Sequence, residues 1–287
     1  MSDPNLTTVT RRSFLQQALV LAGRLVGLGL LSGLYGYGWE RKWIEVTRIP
    51  LTVPDLPEPF RGTRLVHFSD LHLGHYSGLE DVQRVVDVIR QEKPDLICFT
   101  GDLVDESTRL VPGAAQILRQ LDAPLGKFAV LGNHDYRAGE QRVVREAWSE
   151  AGFAVLDNRH VRLEKQGGRL YLAGVDDVLL GAPDVKRAVA EIPAGETVIL
   201  LAHEPDFADE AAAYPIRLQL SGHSHGGQVR IPWLGAVLTP KLSQKYVQGL
   251  YRIEGSGMQV YTTRGIGTTI LPIRFCCRPE ITVLTLT

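Results

Sequence analysis

An apolar run that ends in a carboxylate and an imidazole sets the pattern of this chain: residues 65–72 read LVHFSDLH. The pattern returns four times. Apolar runs at 96–100, 128–131, 198–202 and 218–221 lead directly into GD, GNHD, a single His and GHSH. Short apolar runs bounded by turn residues predict buried strands. Each polar group is therefore expected at the carboxyl end of a strand.

Amphipathic stretches separate these runs and predict helices at 79–91, 111–121, 140–151 and 184–191. Strands that alternate with helices of this length favour an α/β domain with a mostly parallel sheet. Ligands bind such sheets beyond the carboxyl ends of the strands. The five polar groups can therefore converge on one site.

The residue types in these groups are those that bind divalent cations, namely carboxylate, amide and imidazole side chains. Asp70 and His72 lie two residues apart and would face the same way in an extended segment. A lone GD or D-x-H pair is common by chance, but GNHD and GHSH are rarer. Their occurrence in order after successive strands predicts a two-metal site, for which the five groups supply two Asp, one Asn and four His with one His to spare.

In this order the five motifs resemble the calcineurin-like metallophosphoesterase superfamily, over residues 64–230. The segments GGQ at 226–228 and GTTILPIRFCCRPE at 267–280 are similar to its membrane-associated or Tat-exported bacterial phosphodiesterase branch. That branch includes UDP-2,3-diacylglucosamine hydrolases. The resemblance implies a four-layer αββα sandwich, in which two mixed β-sheets pack face to face with helices outside.

The resemblance also implies a role for each ligand. Asp70, His72 and His225 would hold the first metal ion, and Asn133, His203 and His223 the second. Asp102 would bridge both ions. A hydroxide shared by the two ions would attack phosphorus in line. Ligation without thiolate admits Mn, Fe, Zn or Co.

His134 follows a predicted ligand, and the resemblance places it beside the substrate phosphate as the catalytic residue. An imidazole there could donate to a phosphoryl oxygen or protonate the leaving group. Asp135 could orient that imidazole or cap a helix at the surface. His75, Arg274 and Arg278 are candidate substrate-binding residues; alternatively, His75 is a solvent-exposed loop residue and the arginines form salt bridges.

The N-terminal segment predicts a membrane anchor. Residues 10–15, TRRSFL, match the twin-arginine export pattern, and residues 19–38 are apolar apart from Arg24 and Ser32. About 20 residues suffice to span a bilayer. The absence of an A-x-A site before WERKW at 39–43 favours an uncleaved anchor. The flanking charges do not favour export, but the twin-arginine motif does, so the catalytic domain is expected outside the cytoplasm; the cytoplasmic face is the alternative.

Composition is consistent with a single catalytic domain. We expect an anchor at 1–49, a linker or edge strand at 50–63 and the metallophosphoesterase domain at 64–287. A hydrophobic content of 44% is ample for a core, and a net charge of -1 makes nucleic acid an unexpected partner. The three cysteines define no disulfide framework.

The expected activity is hydrolysis of a phosphodiester or pyrophosphate by a two-metal enzyme, with a lipid-linked or envelope substrate. An alternative is UDP-2,3-diacylglucosamine pyrophosphatase of lipid A synthesis on the cytoplasmic face. A remote alternative is a non-catalytic metal-binding scaffold on the same fold. The membrane and, for an exported protein, the Tat translocase are the expected partners.

Overall fold

Seven helices and fourteen strands form within residues 11–287, the part of the chain that the computed structural model describes. Thr10 of the predicted twin-arginine motif lies outside these residues. The helices are α1 Arg11–Gly38, α2 Leu79–Gln91, α3 Val111–Leu118, α4 Asn133–Arg137, α5 Gln141–Glu150, α6 Val185–Ala188 and α7 Ala208–Ala211. The strands are β1 Glu45–Leu51, β2 Arg64–Phe68, β3 Leu96–Thr100, β4 Lys127–Val130, β5 Ala154–Val155, β6 Arg159–Lys165, β7 Gly168–Gly174, β8 Val198–Leu201, β9 Leu218–Ser221, β10 Arg230–Ile231, β11 Gly235–Ala236, β12 Gly249–Arg252, β13 Gln259–Thr262 and β14 Glu280–Leu286.

The strands form two six-stranded sheets and one small hairpin. The first sheet has the order β1-β14-β2-β3-β4-β5, and the second has the order β12-β13-β9-β8-β7-β6. The central strands of both sheets run parallel, as expected for strands joined by helices. Antiparallel pairs join β14 to β2, β12 to β13 and β6 to β7, so both sheets are mixed.

Side-chain alternation divides the interior into three apolar layers. In β2, Val66 and Phe68 pack with α2, α3 and α5, whereas Leu65 faces the second sheet. In β8, Ile199 faces the first sheet, and Leu200 packs with α6 and α7. One apolar layer lies between the two sheets, and one lies between each sheet and the helices that cover it. This arrangement confirms the four-layer αββα fold, with α1 as an additional N-terminal apolar helix.

The predicted strands and helices that carry or separate the motifs are all present, with ends shifted by a few residues. α3 ends at Leu118 rather than at 121, and α6 covers only Val185–Ala188 of the predicted 184–191. β1 begins at Glu45, inside the segment predicted as an anchor, and pairs with β14. Residues 45–49 therefore belong to the first sheet.

Helix α1 lies almost wholly outside the apolar layers. It is long and apolar enough to cross a membrane by length and composition, and none of its most apolar window is buried. Signal sequences near an N-terminus meet the same test. Only Gly36, near its C-terminal end, is buried.

Candidate metal centre

The carboxyl ends of strands from both sheets bring the predicted ligands together. One cluster contains Asp70, His72 and His225, and another contains Asp102, His203 and His223. Within each cluster, one ligand atom per residue lies within 4.8 Å of the others. All six side chains are buried. The first cluster contains the three residues that the resemblance assigns to the first ion. The second contains His203 and His223 of the second set, together with Asp102, the residue expected to bridge the ions.

Most of these residues adopt an unusual backbone conformation. Positive φ angles between 45° and 65° occur at Asp70, His72, Asp102, His223 and His225. Residues with a Cβ avoid this left-handed region, at a cost of roughly 1 to 2 kcal/mol each. Strain of this kind concentrates at functional sites, where it aims side chains in directions that regular strands do not provide.

Two glycines allow the ligand loops to approach closely. A Cβ at Gly132 would overlap Oδ1 of Asp102, and a Cβ at Gly101 would overlap the ring of His203. Gly101 also has a φ of 90°, which favours glycine. The glycines that precede the ligands are therefore needed for convergence as well as for turning.

Asp102 lies at the centre of the site. Its Oδ1 accepts a hydrogen bond from the backbone N–H of His134 at 2.8 Å, and its Oδ2 lies 3.1 Å from Nε2 of His203. Oδ2 is also 3.5 Å from Nε2 of His72. Burial raises the pKa of Asp102, but the histidines beside it outweigh burial and hold that pKa well below its usual value. Asp102 is thus a carboxylate shared by both clusters.

The histidines differ in charge preference. Burial lowers the pKa of His223 to about 3, and burial and the charge of His72 hold the pKa of His225 well below its usual range. Both shifts favour the neutral ring, which is the form that ligates metals. Burial also lowers the pKa of His203, but the carboxylate of Asp102 raises it further, so that the net shift is upward.

The arrangement of donor atoms fits divalent cations. Nε2 of His72 and Nε2 of His225 face each other at 3.0 Å, and Oδ1 of Asp70 lies 3.5 Å from the latter. Oδ1 of Asn133 is buried and has no hydrogen-bond partner among the described residues. A buried carbonyl oxygen without a donor is costly unless another group satisfies it. A cation bound by these lone pairs would satisfy them.

His134 lies at the open side of the clusters and is held by Asp105. Its Nδ1 lies 3.1 Å from Oδ1 of Asp105 and 3.0 Å from the backbone oxygen of the same residue. Its side chain is 14% exposed, whereas that of His72, whose ring lies 4.6 Å away, is fully buried. Burial lowers the pKa of His134, but Asp105 and Asp102 outweigh burial and raise it above its ordinary value.

Asp105 was missed by the sequence interpretation. It stands three residues after Asp102 in the segment GDLVD, at 101–105, and the spacing of the two carboxylates is the available signal. Its Oδ1 also lies 3.5 Å from Nδ1 of His72. One carboxylate therefore contacts the ring of a candidate ligand and that of the candidate catalytic residue.

Asp135 has a different position from either alternative considered for it. It is fully buried and does not contact the His134 ring. Its carboxylate accepts hydrogen bonds from the backbone N–H groups of Gly132, Asp102, Leu103 and Val104 at 2.9 to 3.2 Å. Asp135 thus caps α4 from inside and ties the 102–104 loop to it.

The three candidate substrate-binding residues have different positions relative to the clusters. His75 is exposed and packs edge-on against Tyr76. Arg278 pairs with Glu45 at 2.6 Å and stacks on Trp43. Arg274 is fully buried and donates to the backbone oxygens of Arg264, Gly267 and Cys277, with one nitrogen 3.4 Å from Nδ1 of His225. Arg274 therefore lies in the interior next to His225 and does not line a solvent-accessible surface of the site.

Comparisons with known proteins agree with this geometry. A family model described as calcineurin-like phosphoesterase matches residues 63–227. The chain is 39% identical over 285 residues to the "Uncharacterized metallophosphoesterase YkuE" of Bacillus subtilis, covering 97% of this chain and 98% of that protein. It is 31% identical over 283 residues to the "Phosphodiesterase YaeI" of Escherichia coli, covering 97% and 99%.

A vertebrate relative is also similar. The chain is 34% identical over 254 residues to a Danio rerio "Transmembrane protein with metallophosphoesterase domain". The match covers 84% of this chain and 57% of that protein.

Proposed function

Because the chain belongs to the calcineurin-like phosphoesterase family and is thus a metal-dependent phosphoesterase, we propose that it hydrolyses a phosphodiester or pyrophosphate bond in a lipid-linked or envelope molecule. The observation that carries the proposal is the convergence of two ligand clusters on Asp102, beside the His134–Asp105 pair. Asp70, His72 and His225 would hold a first ion, and Asn133, His203 and His223 a second. Asp102 would contribute its carboxylate to both.

Divalent ions bound there would activate water and neutralise charge on the phosphoryl oxygens. The protein's own contribution starts with Asp102, which accepts the backbone N–H of His134 and so fixes the start of α4 against the clusters. Asp105 holds Nδ1 of His134 and leaves Nε2 directed away from that contact. Nε2 is therefore the atom proposed to donate a proton to the leaving group.

The membrane-linked substrate is supported by features outside the site. α1 is apolar and exposed, and a relative named as a transmembrane protein shares the domain. We propose that α1, within the predicted 1–49 segment, anchors the chain. β1 and the residues up to 63 lead from the anchor into the first sheet, and 64–287 form the rest of the catalytic domain. Arg11 and Arg12 precede Phe14, which supports twin-arginine export and an extracytoplasmic site.

The test is hydrolysis by the full chain in detergent after chelation, with Mn²⁺, Fe²⁺, Zn²⁺ or Co²⁺ restored separately. Substrates are bis(p-nitrophenyl) phosphate, p-nitrophenyl phosphate and UDP-2,3-diacylglucosamine. We expect metal-dependent diester hydrolysis that Asp102→Asn abolishes. Turnover of the UDP lipid would instead assign the pyrophosphatase role at the cytoplasmic face, and hydrolysis of the monoester alone would contradict the proposal.

His134→Asn tests the proton-donor role within the same assay. We expect kcat to fall by about 10²- to 10⁴-fold on an alkyl phosphodiester, because an alkoxide needs a proton to leave. The loss should be smaller on the p-nitrophenyl ester, whose leaving group departs as a stable anion. An equal loss on both esters would argue against proton donation by His134. His160→Asn, which changes a histidine whose ring contacts the backbone oxygen of Ala188 away from the metal centre, is the matched control.

A further inference from the structure

Large apolar side chains project from two neighbouring segments into solvent. Trp233 and Leu234 lie at the tip of the β10–β11 hairpin and are 101% and 81% exposed. Ile270 and Leu271, in the loop before Arg274, are 88% and 57% exposed. We call these four residues the apolar platform. Contiguous exposed apolar groups mark interaction surfaces, whereas single exposed ones need no explanation.

The two segments of the platform are joined at their bases. The side chain of Gln228 accepts a hydrogen bond from the N–H of Thr269 at 2.7 Å and donates to the Thr269 oxygen at 3.0 Å. Backbone hydrogen bonds of 2.9 Å link Phe275 N–H to the Gln228 oxygen and Arg230 N–H to the Phe275 oxygen. The hairpin and the loop therefore form one structural unit.

This unit contacts the C-terminal end of α1. Arg274 N–H donates to the backbone oxygen of Gly36 at 3.3 Å, and the rings of Phe275 and Tyr35 meet edge-on at 6.4 Å. A Cβ at Gly36 would lie 2.6 Å from the Arg274 oxygen, so the contact requires glycine. The platform is thus continuous with α1, whose exposed surface is mostly apolar.

We propose that the apolar platform inserts into the interface of the same bilayer that holds α1. This inference rests on the proposed membrane-linked function. α1 already requires an apolar environment for its exposed Leu and Val side chains, and its end is fixed against the platform. Trp39 and Trp43, both exposed, follow α1, and tryptophan is enriched at the headgroup level.

Positive charge borders the same end of α1. Arg41 and Lys42 line a small pocket together with Gly267 and Thr268, at the start of the platform loop; Arg84 of the same pocket is paired with Asp81. Lys42 is exposed. Basic side chains at the C-terminal end of α1 would lie level with the headgroups of the bilayer. They are complementary to anionic headgroups, which favours a lipid surface over an apolar protein partner.

The platform is also tied to the metal centre. The segment that carries the hairpin begins at Gln228, three residues after His225. It leads to Lys241, whose backbone oxygen lies 2.9 Å from Nε2 of His223. The platform loop follows Gly267, whose N–H donates to the Asp70 oxygen at 2.6 Å. An inserted platform would therefore set the metal centre next to lipid phosphate groups, so the substrate class is a phosphoester embedded in the membrane.

Insertion can be measured with the full chain reconstituted in vesicles of phosphatidylethanolamine and phosphatidylglycerol. In a Cys276→Ser background, an environment-sensitive fluorophore is attached at Leu234→Cys or Leu271→Cys. Leu180→Cys is the matched control, because Leu180 is an exposed leucine outside the platform. Lipids that carry a quencher in the acyl chain are then added to the vesicle composition.

We expect a blue shift and quenching at positions 234 and 271, and neither at 180. No quenching at 234 and 271, or equal quenching at all three positions, would overturn the proposal. A blue shift that depends on protein density but not on the quencher lipid would show that a second copy covers the platform instead, which would also overturn it.

A kinetic comparison separates this inference from the proposed function. Trp233→Ser/Leu234→Ser should lower the rate on hexadecyl p-nitrophenyl phosphate in vesicles by at least about tenfold, because the site loses its position at the lipid surface. The rate on soluble bis(p-nitrophenyl) phosphate should not change. An equal effect on both substrates overturns the inference alone, whereas absence of hydrolysis in the wild-type chain would contradict the proposed function and leave the quenching result to decide insertion.

Discussion

Asp105 links the candidate catalytic residue to a candidate ligand. Its carboxylate contacts Nδ1 of His134 at 3.1 Å and Nδ1 of His72 at 3.5 Å. The His134 ring bonded to it and the nearby His72 ring hold the pKa of Asp105 well below its usual value, so it is charged at neutral pH. A charged, half-buried carboxylate fixes the orientation of His134 and keeps its imidazole protonated to a higher pH.

Asp105→Asn should shift the pH dependence of hydrolysis. Asp105 raises the pKa of His134, so its removal lowers that pKa, and the protonated donor is lost at a lower pH. We expect the alkaline limb of kcat/KM to move to lower pH, with a loss of about 10- to 100-fold in activity. The measurement is a kcat/KM profile on the alkyl phosphodiester.

Asp209→Asn is the matched control for this variant, since Asp209 pairs with Lys245 on the surface. An alkaline limb that stays in place in Asp105→Asn, despite lower activity, would show that the carboxylate has only a structural role.

At this scale the motifs predicted which residues converge but not which side chains face each other. The clustered aspartates and histidines follow strand ends, so their positions could be read from the sequence. The contacts of Asp135 could not be read from it, because successive residues of a helix point about 100° apart, so Asp135 and its neighbour His134 face different surroundings. Asp105, three residues beyond a turn, reaches His134 only through tertiary structure.

The segment between β13 and β14, residues 263–279, contains the buried guanidinium of Arg274; we call this segment the strap. Arg274 supplies hydrogen bonds to three backbone oxygens, those of Arg264, Gly267 and Cys277. Burial lowers the pKa of its guanidinium. Arg274 is thus the buried side chain that donates to these three backbone oxygens, whereas Gln228, Glu280 and Glu40 bond other backbone groups of the same segment.

Arg274→Met should destabilise the fold by about 3 to 5 kcal/mol, because removal of one partner leaves several buried oxygens unpaired. The measurement is the urea midpoint of unfolding of the metal-free chain in detergent. Arg278→Met, four residues along, is the matched control: its partner Glu45 is a partly exposed carboxylate. Such a pair contributes only about 0 to 1 kcal/mol.

Equal, small losses in the two variants would contradict the strap interpretation of Arg274. Such a result would favour the hypothesis that Arg274 binds substrate, although its buried position does not suggest that role.

Among the elements, buried strands flanked by motifs were predictable and the remaining strands were not. β3 is buried at every position, as its apolar run predicts. β6, with the sequence RHVRLEK, alternates charged and apolar residues at the edge of the second sheet, and β12 is similar. Edge strands need few apolar residues, so hydrophobicity alone does not distinguish them from loops.

Over the whole molecule, the metal centre connects the two sheets. Asp70 and Asp102 follow strands of the first sheet, while His203 and His223 follow strands of the second. An ion held by residues from both sheets binds the folded state only, and so stabilises it in proportion to the binding free energy.

Chelation should therefore lower the thermal unfolding temperature. At a free ion concentration of about 100 Kd, binding contributes about 2.7 kcal/mol, which corresponds to about 5 to 10 °C for a chain of this size. Differential scanning fluorimetry with and without added Mn²⁺ measures the shift. Asp102→Asn should reduce it strongly, and a full shift in that variant would show that the ions bind elsewhere.

The pairing of two sheets was predictable only through the family resemblance. Apolar runs identify strands that are buried on both faces, but they do not tell whether two strands share a sheet or lie in opposite sheets. Leu65 and Ile199 belong to the same apolar layer although they lie in different sheets. The position of β14 between β1 and β2 likewise follows from pairing far apart along the chain.

That position has a consequence for biosynthesis. β14 occupies an interior place in the first sheet, so β1 has no partner and β2 has an open edge until residues 280–286 have left the ribosome. Nascent chains acquire helix α1 more than two hundred residues earlier. Recognition of α1 by targeting machinery therefore precedes completion of the catalytic fold, and ribosomal pausing ahead of β14 would prolong the interval in which the incomplete sheet can be captured by chaperones.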